Sequence, residues 1–265
     1  NAQITQSISY AQQIQRALLS YEKLMSLSLP EHFVLWMPRD IVSGDFCWFR
    51  KHKDSHGNEK MLLAAVDCTG HGIPGAFMSL IGDALLNKIV VDEKEISPER
   101  ILKELHKSIR KALKQQSSDN RDGMDMALVV IDKQHHTLEF AGAKNPLIYL
   151  QPDENGIWQL HSINGDRFGI GGEQTESERF FTKHTLDISR PTTFYIFSDG
   201  YQDQFGGPKG KKFMSKRFRE LLSEIHTKPV LEQRNALRQT IQGWMEYGNE
   251  PQVDDILVIG VKLHP

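Results

Sequence analysis

Acidic residues recur at the ends of apolar runs. Asp67 and Asp199 follow the runs LLAAV and FYIFS, whereas Asp45 and the pair Asp254 and Asp255 precede FCWFR and ILVIGV. If these runs are neighbouring antiparallel strands, all of these carboxylates arrive at one end of a sheet. Like charges gathered there raise one another's pKa unless a cation neutralises them, and no Lys or Arg adjoins Asp67, Asp199 or Asp254 in the chain. A multivalent cation solves that problem. Oxygen donors suit Mg²⁺ or Mn²⁺, whereas zinc ordinarily recruits His or Cys. Taken singly, each aspartate is explained as a cap or turn residue, but their repetition at matching run ends weakens that explanation.

The string DCTGHGIPGAFMS, Asp67 to Ser79, leaves a buried run, turns through glycines and enters a helix near Pro74. Gly70, Gly72 and Gly75 permit close backbone approach, and a helix start favours an anion, although a glycine-rich turn alone is a weak signal. His71 could orient a water or donate a proton; a histidine that merely hydrogen-bonds within its turn explains it equally well.

The elements that must position these residues read as a mixture. Strands are expected at Phe33 to Met37, Phe46 to Arg50, Met61 to Val66, Met126 to Asp132, Thr137 to Phe140, Leu147 to Leu150, Ile157 to His161, Thr192 to Phe197 and Ile256 to Val261. The short connections DKQHH and PDENG suit hairpins, so the sheets should be largely antiparallel. Helices are predicted from Pro74, with Phe77, Leu80, Ile81, Ala84, Leu85 and Ile89 inward, over Pro98 to Gln115 with Ser97 as N-cap, and near Lys216 to His226 and Pro229 to Tyr247. Ahead of all of them, Ala2 to Leu29 lacks glycine and internal proline. It carries Ile4, Ile8, Ala11, Ile14, Leu18, Tyr21 and Met25 three or four residues apart, about the 3.5-residue period of a coiled-coil seam. One helix is predicted, ended by Pro30; it either packs on its own domain or pairs with a second copy. The expected division is a linker helix over 1–29 and one domain over 30–265.

Composition narrows the classes. With 265 residues, 39% hydrophobic and 25% charged, the chain can bury a core. Its 32 Lys and Arg against 34 Asp and Glu give a net charge of -2, no footprint for nucleic acid or anionic lipid. The longest wholly apolar runs fall short of a membrane span, so no membrane contact is expected. Cys47 and Cys68 form no framework or C-x-x-C pair, which fits a reducing, cytoplasmic setting. The chain begins at Asn1 without a leader pattern, so a longer parent with an upstream domain is expected.

Four motifs in order carry a resemblance: VSGDFCWF (Val42 to Phe49), DCTGHGIPGAF (Asp67 to Phe77), FSDGYQDQ (Phe197 to Gln204) and DDILVIGV (Asp254 to Val261). AGAKNPLIYL (Ala141 to Leu150) adds a hairpin. The chain resembles the metal-dependent PPM-type protein phosphatases of the bacterial SpoIIE-like, RsbU-like branch, from about Pro38 to Leu263. The resemblance implies an α+β fold, an αββα sandwich of two mainly antiparallel sheets flanked by helices. It implies hydrolysis of phosphoserine or phosphothreonine by water activated between two Mn²⁺ or Mg²⁺ ions, without a phosphoenzyme. By that match Asp67 bridges both ions and the Cys68 carbonyl helps hold one. Asp199 and Asp254 hold the other, with Asp255 as the alternative of that pair, and Asp45 orients the water from behind the direct ligands. The branch also implies the output domain of a signalling protein. Its substrate would be a phosphorylated partner-switching protein such as an anti-sigma factor antagonist, with an upstream sensor and a homodimer through the N-terminal helix as further partners.

Departures from the pattern are informative. The phosphate-gripping arginine of eukaryotic relatives lacks a secure counterpart; Arg39 is a substitute, or simply a solvated side chain. Asp125 stands where many relatives have a small hydroxyl residue, and Asp119 or Asp122 could serve a weak third metal. Lys144 replaces a histidine common in the branch and could tune substrate recognition. His52 and His56 lie four apart in a polar turn that makes a poor metal site, and FGIGG (Phe168 to Gly172) is a lone glycine turn. No G-x-S-x-G elbow occurs, which argues against a serine esterase. Two rivals keep the fold: a pseudophosphatase that signals by binding, and a metal-dependent hydrolase of small phosphoesters.

Overall fold

Alternating and continuous apolar runs pair into two stacked antiparallel sheets in the computed structural model, which describes residues 2–53 and 57–265; His56 lies outside them. One sheet has the order β1-β13-β10-β6-β7, built from β1 (His32–Met37), β6 (Leu147–Pro152), β7 (Trp158–Ile163), β10 (Thr192–Phe197) and β13 (Ile256–Leu263). The other runs β2-β3-β4-β5-β9, from β2 (Phe46–Lys53), β3 (Glu59–Cys68), β4 (Gly123–Asp132), β5 (Thr137–Ala143) and β9 (His184–Asp187), with β8 (Ile170–Gly171) paired to β4. Helices α3 (Gly72–Asn87) and α4 (Pro98–Ala112) cover the second sheet, and α6 (Met214–Ile225) and α7 (Val230–Gly248) the first. This is the expected αββα sandwich.

The period of two along a strand divides the core. On β10, Phe194 and Ile196 point between the sheets, while Tyr195 and Phe197 join Phe218, Leu222 and Leu237 under the outer helices. Central strand β13 does the same with Leu257 and Ile259 against Ile256 and Val258. Both strands are buried on two faces, so they read as unbroken apolar runs.

Three expectations need correction. The N-terminal segment is two helices, α1 (Ala2–Leu18) and α2 (Glu22–Ser28), not one reaching Leu29. No glycine or proline marks the break. Tertiary anchoring makes it: the Tyr21 hydroxyl donates to Asp83 on α3, and the Arg50 guanidinium lies 4.5 Å from the Tyr21 ring centre. Tyr21 and Met25 are consequently buried in their own domain, while Ile4, Ile14 and Leu18 stay exposed. Second, α3 turns neither Phe77, 64% exposed, nor Ala84 inward. Its buried face is Gly75, Met78, Ser79, Gly82 and Leu86, because small residues let the helix settle onto Phe46, Met124 and the Gly44 backbone. Third, Ser97 occupies the N-cap position of α4, but its hydroxyl donates to Glu99 rather than capping the backbone.

The stretch Gly72–Asp92 is long and apolar enough to cross a membrane, with hydropathy 1.3. Here it is a core helix ending in a π-helical turn, with Leu86, Ile89 and Val90 buried.

Candidate active site

Strand register brings the acids together. Asp67, near the end of β3, faces Asp125 across the pair with β4, and continuing the register Phe46↔Val66 by one residue sets Asp45 level with Asp67. From the other sheet come Asp199, just after β10, and Asp254 and Asp255, just before β13; these strands pair Phe197 with Val258. The turn after β10 becomes the short helix α5 (Gly200–Asp203). A Cβ at Gly200 would lie 1.9 Å from the Asp255 carbonyl oxygen, so only glycine lets the two loops meet. The Asp199 amide points at Asp67 Oδ2 from 3.5 Å, which joins the sheets at this end.

Burial and mutual repulsion govern the cluster. Burial, then the charge of Asp67, push the Asp45 carboxyl well above the usual carboxylate range, against a hydrogen bond from Ser198. For Asp67 the causes are burial, then Asp199, Asp125 and Asp254. Asp199 is raised by burial, then Asp203 and Asp254, and Asp254 is raised chiefly by burial. Asp45 Oδ2 is buried without a hydrogen-bond partner among the described residues. A buried acceptor without a donor beside several carboxylates is the environment that a hydrated divalent cation relieves.

The oxygen donors fit Mg²⁺ or Mn²⁺ in kind. No three His, Cys, Asp or Glu side chains among the described residues converge as a ready-made cage. That also suits Mg²⁺, which keeps several waters and takes only one or two carboxylates.

The structure separates the neighbouring acids. The Asp255 carboxylate accepts the Arg39 and Gly44 amides, both at 2.7 Å. Its carboxylate thereby clamps the approach to β2, although its charge still raises the Asp45 carboxyl, as does that of Asp254. Asp125 acts on Asp67 and Asp199, whereas Asp122 holds Asn120 and neither it nor Asp119 bears on the cluster.

Basic groups sit at the rim. Lys144 Nζ is 3.1 Å from Asp125 Oδ2, and His71 Nδ1 is 2.8 Å from Asp40 Oδ2. Arg39 and His71 both lower the Asp254 pKa by their charge. Gly75 does not open the turn to a ligand; its closeness serves the backbone, a Cβ there meeting the Gly70 oxygen at 2.4 Å. Cys68 is buried and its thiol pushed well above its ordinary value, first by burial and then by Asp45.

Sequence reading overlooked Ser198, Asp203 and Lys212. The Ser198 hydroxyl accepts from the Leu257 amide and supports Asp45. Asp203 follows Asp199 by four residues, one helical turn, a spacing that could have flagged it. Lys212, 2.8 Å from Asp203, comes from a small hairpin of β11 (Phe205–Gly206) and β12 (Lys211–Lys212) that only the fold places here.

Comparison with known proteins agrees with this fold. Residues 57–264 match the family model described as stage II sporulation protein E, SpoIIE. The SiaA-PP2C domain of Pseudomonas aeruginosa is 33% identical, with 99% of this chain and 98% of that one covered and a TM-score of 0.84. The PP2C phosphatase domain of Bacillus subtilis SpoIIE with a fragment of its regulatory domain is 16% identical, covering 89% and 63%, at a TM-score of 0.65. RsbX in complex with magnesium is 13% identical, covering 88% and 94%, at 0.56. Among curated proteins no sequence matches.

Proposed function

The chain belongs to the SpoIIE family of PP2C-type serine/threonine phosphatases, and from that premise we propose that its acidic end removes phosphate from phosphoserine or phosphothreonine of a regulatory protein with two divalent cations bound. The observation that carries this reading is the meeting of Asp67, Asp199 and Asp254 from two sheets with every carboxyl pushed up by burial and its neighbours. Asp67, the Cys68 carbonyl, Asp199 and Asp254 would hold the ions. Mn²⁺ or Mg²⁺ there would lower the pKa of a shared water and neutralise charge on the phosphoryl oxygens.

The chain's own residues do the rest. Asp45 Oδ2, without a partner among the described residues, would accept a hydrogen bond from water and orient it for attack. Arg39, His71 and Lys144 present positive charge to phosphate oxygens at the rim. Cys68, buried with a raised thiol pKa, is a poor nucleophile, in keeping with direct hydrolysis rather than a phosphoenzyme.

The substrate class we favour is a partner-switching protein such as a phosphorylated anti-sigma factor antagonist, supported by family membership. An upstream sensor and a cytoplasmic setting belong to the same reading, with both cysteines free. The exposed Ile4, Ile14 and Leu18 of α1 support a homodimer through that helix, and the elbow at Leu19 supports a linker role for α1 alone rather than for all of 1–29, since Tyr21, Met25 and Leu29 pack into the core of the domain.

Phosphate release from phosphoserine proteins of the same cell, with Mn²⁺ and with chelator, tests the proposal. Release that persists under chelation removes the metal mechanism, and faster turnover of free nucleotides than of any phosphoprotein replaces the substrate class.

A further inference from the structure

Away from the acids, the elbow between α1 and α2 roofs a cavity of about 320 Å³. It is lined by the edge strands of the two sheets, β1 and β2. Val34 and Trp36, two apart on β1, turn one face toward it, and Phe46 and Cys47 of β2 form another wall. Leu19 and Met25 close it from the elbow. Its size falls at the lower end of those that hold small molecules, and such sites are mostly apolar with a few placed polar groups.

The polar groups here are charged. Arg16 of α1, Glu22 of α2 and Arg238 of α7 line the same cavity. Arg50, nearby, is engaged by the Tyr21 ring and the Phe49 carbonyl. Arg16 and Arg238 have no ion-pair or hydrogen-bond partner among the described residues. Two guanidinium groups and one carboxylate leave a net charge of about plus one, which matches a single negative charge; a guanidinium fork binds carboxylate in a bidentate manner.

We propose that this cavity is a binding site for a small monoanionic amphiphile, a medium-chain carboxylate, whose apolar body lies against Trp36, Phe46 and Met25 and whose head is held by Arg16 and Arg238. The Trp36 indole that walls the cavity donates to both the Ser43 hydroxyl and the Asp45 carbonyl, at 3.2 and 3.1 Å.

The test is calorimetry of decanoate, with decanol and decyltrimethylammonium as neutral and cationic controls, below their micelle thresholds. Binding is read without turnover, so its outcome is separate from that of the phosphatase proposal. Decanoate should bind once per chain and at least about tenfold more tightly than either control, the scale of a charge-assisted hydrogen bond. The double variant Arg16→Gln, Arg238→Gln should erase that preference, and because both side chains are exposed it should fold. Ser20→Trp, which fills the cavity from its rim, should abolish binding. Equal affinity for decanoate and decanol, unchanged affinity in the arginine variant, or no decanoate binding to the parent chain would overturn the proposal.

Discussion

The acidic end and the elbow are held by opposite physics. At the acidic end, carboxylates from two sheets are forced together and each raises its neighbours' pKa, so the folded chain is in electrostatic conflict until a cation arrives. At the elbow, Tyr21, Met25 and Leu29 are buried, Asp83 and Arg50 are matched to one ring, and nothing external is needed. A domain built this way keeps its shape from the apolar edge and reserves its unfavourable contacts for the place where chemistry occurs.

The sharpest way to break the comparison is Asp67→Asn. Removing one central charge should lower Mn²⁺-dependent phosphate release on the order of a thousandfold, about 4 kcal/mol of transition-state stabilisation, while raising the melting temperature of the metal-free protein. Rate assays and calorimetry read both signs, and a stability loss would show that the acids are not in conflict.

At the other region, Met25→Ala should cost about 3 kcal/mol of unfolding free energy in urea, by lost burial and a residual void. The loss should be equal with and without Mn²⁺. A metal-dependent loss would mean that the two regions are not independent.

Asp255→Asn should cost about 2 kcal/mol, since a buried carboxylate that accepts two backbone amides is weakened. Asp254→Asn should instead leave metal-free stability unchanged or improved. Parallel urea titrations of the two variants separate the clamp from the facing acid.

The smallest effect is with pH. Because the folded-state pKa values of Asp45, Asp67, Asp199 and Asp254 are raised, the folded chain binds more protons than the unfolded one above the ordinary carboxylate value of about 3.9. Stability of the metal-free protein should therefore be fullest below that value and fall as pH rises through the raised range. We expect a decline of a few degrees in melting temperature between mildly acidic and neutral pH, flattened by Mn²⁺ or by Asp67→Asn. A metal-free melting temperature that rises with pH would show that paired, not strained, carboxylates dominate.

Much of the acidic end was legible in the sequence because strand ends and turns are local. An aspartate after FYIFS or before ILVIGV has few places to go once the run pairs antiparallel, and alternation along each run sets which face is buried. Single residues were harder. Asp254 and Asp255 are chemically identical neighbours, and nothing local says which of them is engaged by backbone; only the fold shows Asp255 accepting the Arg39 and Gly44 amides. Phe77 failed for a related reason, since hydrophobicity predicts burial only when the neighbour has room for the side chain, and the glycine face of α3 had already taken the close approach.

The sequence by itself determined most strands, their antiparallel pairing and the acidic character of one end, because each follows from periodicity and charge along a few consecutive residues; the sandwich was implied by the resemblance that its motifs carry. Tertiary structure alone decided where α1 stops, which aspartate of the 254 and 255 pair is clamped by backbone amides, how Ser198, Asp203 and Lys212 reach the site, and that a cavity lies beneath the elbow. Those depend on contacts such as Tyr21 with Asp83 or Asp255 with Gly44, between residues 62 and 211 positions apart. Their energy is only realised when the two sheets close on each other, and no local pattern encodes it.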